Sequence, residues 1–162
     1  MALETERLLD ETGWRLLEAL QENARLSFSE LGLRVGLSSP AVAERVRRME
    51  DAGIITGYRA EVNTAKIGYP ITAIMRLSTP PGESCTRVIA SSMAFPEVLE
   101  SYRVTGGDAL IMKVMVSSVE HLEALIDRIS KHGQVTTSIV LSTPVSRRTI
   151  TRLSEREGAE TA

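Results

Sequence analysis

Apolar positions recur at helical spacing over the first third of the chain, and a period of two enters after a change of character near residue 60. A first helix is expected from about Glu11 to Asn23, with Asp10 as its N-cap and Trp14, Leu16, Leu17 and Leu20 on one side. A second begins at SFSE, where Ser27 and Glu30 stand three residues apart, the spacing of a capping box. Leu31 and Val35 face inward, and Gly36 ends this helix because glycine tolerates the left-handed cap. Ser38 then caps a third helix that runs to Ala52 and stops at Gly53. Two helices joined by a three-residue turn that begins with glycine have the spacing of a helix-turn-helix. IITGYRAEVN follows as a short β-hairpin or wing around Gly57, and NTAKIGYP as a hinge closed by Pro70.

The second half reads strand, helix, strand, strand, helix, strand. ITAIMRLS alternates, with Ile71, Ala73, Met75 and Leu77 on one face. PPGES is a turn, SCTRVIASSMAF a helix stopped by Pro96, and EVLESYRVT a strand. A tight turn at Gly106, Gly107 and Asp108 leads into the strand ALIMKVMVS. Ser117 and Glu120 have capping-box spacing ahead of a helix striped by Val119, Leu122, Ile126 and Ile129. Gly133 ends it, and VTTSIVLST is the last strand. The order is that of a ferredoxin-like βαββαβ domain. The predicted fold is therefore α+β: a winged helix-turn-helix over residues 1–62, a hinge over 63–70, a ferredoxin-like domain over 71–150 and a polar tail over 151–162.

Composition narrows the function. The single cysteine, Cys85, excludes an internal disulfide and fits a reducing cytoplasm. The acidic start MALETERLLDETG does not read as a signal peptide, and no apolar run approaches the ~20 residues of a membrane span. His121 and His132 are the two histidines, and neither has a partner at metal-ligand spacing. No P-loop, Rossmann fingerprint or marked nucleophile is present, so neither an enzyme nor a cofactor is expected. The formal net charge is −2, and residues 1–63 balance at −3. A protein that coats DNA regardless of sequence is basic. Any DNA binding must come from a local cluster.

That cluster lies in LSSPAVAERVRRMEDAG. Val42, Val46 and Met49 share one helix face, which leaves Pro40, Ala43, Glu44, Arg47, Arg48 and Asp51 outward. Small residues at Ser38, Ser39, Pro40 and Ala43 allow close approach to DNA, and the free N–H groups at the helix start favour phosphate. Arg47 can reach a guanine edge or a phosphate, and Arg48 is angled toward phosphate. Arg45 lies toward the buried flank as a structural or phosphate contact. Ser27, at the start of the preceding helix, is assigned to the same DNA-binding set. A solvated helix face with Glu44 and Arg48 as an i, i+4 pair is the plainer alternative.

From LLDETGWRLLEAL through RMEDAGIITGYRAEVN the chain resembles the N-terminal domain of the Lrp/AsnC (feast/famine) family of transcriptional regulators. It departs at Gly13, where the family often has Asp, and at Met49 for the usual Leu. ESYRVTGGDALIMKV and HLEALIDRISKHGQVTTSIVLSTPV are similar to that family's amino-acid-sensing domain. The resemblance implies a prokaryotic, nucleoid-associated cytoplasmic protein that binds double-stranded DNA. It implies a dimer built by pairing two sheets, assembling further and commonly to octamers. It also implies an amino-acid effector bound between subunits, carried over onto Gly106, Gly107 and Asp108 and onto Gln134, Thr136, Thr137 and Ser138.

The residues independently suit a zwitterion: consecutive glycines can offer N–H groups to a carboxylate, and Asp108 can accept from an ammonium. A plain hairpin turn, with threonines chosen for strand propensity, explains the same residues. Two other readings stay open: an enzyme on the ferredoxin-like half, and an effector-independent architectural DNA binder.

Overall fold

Short-range signals build the helices expected from residue 11 onward, and a helix not expected from the sequence precedes them. In a computed structural model, which describes residues 2–78 and 95–152, α1 spans Ala2–Leu8 and α2 spans Glu11–Glu22, with Asp10 accepting from the Gly13 N–H at 2.8 Å. α3 (Phe28–Val35) opens on the full capping box: Ser27 Oγ accepts from the Glu30 N–H, and Glu30 Oε2 accepts from the Ser27 N–H. Gly36, at φ 75°, ends it. α4 (Ser39–Asp51) follows. Leu16, Ala19, Leu20, Leu31, Val35, Val42 and Val46 form one core, so α2 buries its Leu16 side while Trp14 and Leu17 stay half-buried.

Two glycines set how closely these helices pack. A Cβ at Gly32 would lie 2.4 Å from the Leu37 carbonyl oxygen, and one at Gly13 would lie 1.8 Å from that of Leu8. The turn between α3 and α4 folds over Gly32, whose carbonyl accepts from the N–H groups of both Gly36 and Leu37.

Two expectations fail here. Ser38 occupies the N-cap position of α4 but makes no side-chain capping bond. Pro40 removes one of the N–H donors such a cap would use. The wing is also absent: no strand occurs over residues 54–63. The N–H groups of Ile54 and Ile55 are taken by the Met49 carbonyl, and Tyr58 donates to Glu50 at 2.9 Å. The segment is spent on closing α4, which leaves no hairpin to pair.

The chain divides into two units, Met1–Ala60 with the segment from Val145, and Glu61–Pro144. In the first, the returning segment is held by Gln21, whose amide side chain exchanges two hydrogen bonds with the backbone of Ile150, at 2.9 and 3.0 Å.

The second unit opens on a 3-10 turn at Thr64–Ile67. Strands β1 (Ile71–Ser78), β2 (Val98–Arg103), β3 (Leu110–Val116) and β4 (Gln134–Ile139) form an antiparallel sheet in the order β2-β3-β1-β4, the ferredoxin-like arrangement. Ala73, Met75 and Leu77 face Leu110, Met112, Val114 and Val116 into a core closed by α5 (Val119–Ser130). The α5 stripe runs through Leu122, Leu125 and Ile129 rather than Val119, which is exposed. Its cap is Ser118, accepting from the His121 N–H at 3.1 Å, one residue later than the expected Ser117. The strand carries on through Val116, so Ser117 falls before the helix turns. The predicted PPGES turn, the SCTRVIASSMAF helix with Cys85, and the tail beyond residue 152 lie outside the described residues.

Glu97 is the buried charged side chain of this unit among the described residues. It accepts from Arg128 and pairs with His121 Nε2 at 3.1 Å. Burial alone would raise its carboxyl, but the bonds from Arg128 and His121 prevail and hold it below the ordinary value.

Candidate nucleic-acid interface and ligand site

Val42, Val46 and Met49 anchor α4 to its core with essentially no exposure. The opposite side carries the expected set: Ser38, Pro40, Glu44, Arg47 and Arg48 are exposed, and Ser39 and Ala43 are partly so. Ser38 keeps its hydroxyl uncommitted to the helix, and Pro40 sits in the first turn. The first-turn N–H groups of α4 therefore meet no side-chain cap. Ser27 is exposed at the start of α3, but its hydroxyl also donates to Glu30 at 2.7 Å and is committed to the capping box.

The arginines divide by role. Arg45 turns inward and donates to the carbonyls of Arg7 and Leu8 and to Asp10, tying α4 to the α1–α2 corner. Asp10 is held below the usual carboxylate range, first by the Gly13 N–H and, against a cost of burial, by Arg45. Arg47 points outward but is paired on both sides, with Glu44 at 2.8 Å and Asp51 at 2.7 Å. Glu44 is held below the ordinary carboxylate value first by its bond from Arg47, and the charge of Arg48, its i, i+4 neighbour, adds to that. Tyr58, missed in the sequence as more than a hairpin residue, has its hydroxyl pushed up to about 12 by burial and the Glu50 carboxylate.

The second candidate site gathers at the end of β1. Gly106 lies at φ 107° and Gly107 is open to solvent, and a Cβ added at either would meet nothing within 4 Å. Asp108 accepts from Ser78 Oγ at 2.9 Å, and Ser78 is the register partner of Gln134 on β4. The loop and the strand that the sequence proposes separately are thus joined through Ser78. Thr136 pairs with Arg76, and Ser138 with Ile74. By strand alternation Gln134, Thr136 and Ser138 share the face of Ser78 and the exposed Arg76, away from α5. Thr137 does not belong with them. It pairs with Met75 on the core face, and its hydroxyl is buried with no partner. Three consecutive hydroxyls in a strand cannot all face one way. The outer face also carries Ile74, Ile111 and Met115, half-buried, and Tyr102, half-exposed.

This end of the sheet thus brings together the Asp108 carboxylate, two exposed glycines beside it in the chain, and the exposed Arg76 two residues before Ser78 on β1. No group of three or more His, Cys, Asp or Glu suited to a metal occurs among the described residues, and none of the described helices is long and apolar enough to cross a membrane.

Comparison with known proteins follows the same division. The family model of the AsnC-type helix-turn-helix domain matches residues 9–50, and that of the Lrp/AsnC ligand-binding domain matches residues 72–150. The HTH-type transcriptional regulator YezC of Bacillus subtilis is 42% identical over 83% of this chain and 94% of its own. The structure of B. subtilis LrpC superposes with a TM-score of 0.80 at 31% identity, covering 86% of this chain and 99% of that one. The feast or famine regulatory protein Rv3291c of Mycobacterium tuberculosis, complexed with L-methionine, gives 0.83 at 31% identity, covering 89% and 99%.

Proposed function

Because the chain belongs to the Lrp/AsnC family of transcriptional regulators, we propose that it reads a DNA sequence with the outer side of α4 and answers to a free amino acid bound at the end of β1. Ser38, Ser39, Pro40 and Ala43 bring the helix start to the duplex, with Ser27 at the flank. Arg47 and Glu44 meet base edges, and Arg48 meets phosphate. The amino acid's ammonium goes to Asp108, and its carboxylate to the N–H groups of Gly106 and Gly107, with Gln134, Thr136 and Ser138 around it.

The observation that carries the ligand assignment is the Asp108–Ser78–Gln134 row, in which residues 30 apart hold the loop carboxylate beside β4. That Rv3291c was solved with L-methionine supports an amino acid as the ligand class. Two copies pair through the outer sheet face, where Ile74, Ile111 and Met115 supply apolar contact, and such dimers associate further at the nucleoid. Effector occupancy biases that assembly and so the spacing of the two α4 helices on DNA.

A thermal-shift screen of the common L-amino acids tests this reading. A ligand at ~100 times its Kd adds about 2.7 kcal/mol, a shift of several degrees. One clear responder whose effect vanishes in Asp108→Ala is the expected result. Silence across the panel removes the amino-acid reading.

A further inference from the structure

The outward side of α4 carries its own counter-charges. Arg47 Nε and Nη2 donate to the two Glu44 carboxylate oxygens at 3.1 and 2.8 Å, and Nη1 donates to Asp51 at 2.7 Å. Each guanidinium nitrogen therefore already serves a carboxylate. The three side chains are all more than half exposed, at 59%, 57% and 63%, so packing does not force the arrangement.

Helix stability does not ask for it either. Asp51 is the last residue of α4, where a carboxylate opposes the helix dipole. An arginine placed four residues before an acid is the weaker order of an i, i+4 pair. An acid at that position therefore adds little to the stability of the helix.

DNA would have to displace these carboxylates, and the cost depends on what replaces them. A phosphate oxygen for a carboxylate oxygen is an exchange of like for like, and it leaves Asp51 and Glu44 facing the anionic backbone. A guanine edge offers two neutral acceptors in the plane of the arginine fork. Glu44, once released, can accept from the amino group of cytosine. The acids therefore penalise phosphate contact more than base contact.

Resting on the DNA-reading function above, we propose that Asp51 and Glu44 are specificity-determining residues that withhold Arg47 from phosphates and yield it to a guanine edge. Asp51 touches no base and acts through Arg47. The balance of −3 over residues 1–63 works in the same direction, suppressing sequence-blind binding.

The test uses the full chain, duplexes recovered by the wild type from a randomised pool, and a scrambled duplex of equal length, over a salt series. Asp51→Asn is expected to tighten the scrambled duplex about tenfold and steepen its salt slope by about 0.9, one phosphate contact, with the recovered duplex moving no more than about threefold. Glu44→Gln is expected to tighten the scrambled duplex as well and to weaken base preference at one position of the recovered site. Far-ultraviolet circular dichroism confirms that both variants are folded. Equal tightening on both duplexes, or no change on either, overturns the proposal by reducing Asp51 to a general charge or to nothing. A wild type that recovers no sequence at all overturns the DNA-reading function itself, a different result from a wild type that selects a site while Asp51→Asn leaves its selectivity intact.

Discussion

Ser78 Oγ donates to Asp108 Oδ1 at 2.9 Å, fastening the loop before β3 to the last residue of β1. The bond orients the carboxylate that the proposed effector's ammonium requires. A hydrogen bond to a charged group contributes about 1.5–3 kcal/mol. Ser78→Ala is therefore expected to weaken the responding amino acid about tenfold or more, measured by calorimetry, and Asp108→Ala to abolish its binding. Neither variant should alter DNA affinity without effector.

Arg47→Ala should separate base reading from phosphate contact. Loss of a bidentate guanine contact costs about 1–3 kcal/mol, so the recovered duplex is expected to weaken roughly tenfold or more while the scrambled duplex hardly changes. Fluorescence anisotropy on both measures it. An equal loss on the two would make Arg47 a phosphate contact.

Gly32→Ala is expected to destabilise the DNA-binding unit by about 1–3 kcal/mol, the usual cost of overpacking, because its Cβ would stand 2.4 Å from the Leu37 carbonyl oxygen. The turn between α3 and α4 must move, and α4 with it. Gly107→Ala is the control: no atom lies within 4 Å of its added Cβ. Thermal melts should show a lowered Tm for the first and little change for the second.

Glu97 makes acid stability testable. Its carboxyl is held below the ordinary value of 4.5. The unfolded chain therefore binds the proton first, and the stabilisation is complete above that ordinary value. It is lost as pH falls through the lower folded value. Urea midpoints are expected to drop as pH falls below about 5, and Glu97→Gln to flatten that part of the profile. A profile as steep in the variant as in the wild type would place the acid sensitivity elsewhere.

The sequence alone determined what depends on neighbours within a few residues. The Ser27–Glu30 box, the Asp10 cap, the glycine stop at Gly36 and the Val42–Val46–Met49 face all rest on spacings of seven residues or fewer, and the alternation of β1 follows from the strand period. The family resemblance likewise covers both halves and needs no tertiary contact to be seen.

Tertiary structure decided whatever depends on a distant partner. Ser78 was invisible as a site residue because its significance lies in Asp108, 30 positions away. Thr137 parted from Thr136 and Ser138 once the pairing with Met75 fixed which face each strand residue takes. The expected wing gave way to closure of α4 by Ile54, Ile55 and Tyr58. Local spacing states which contacts are possible, and packing selects among them.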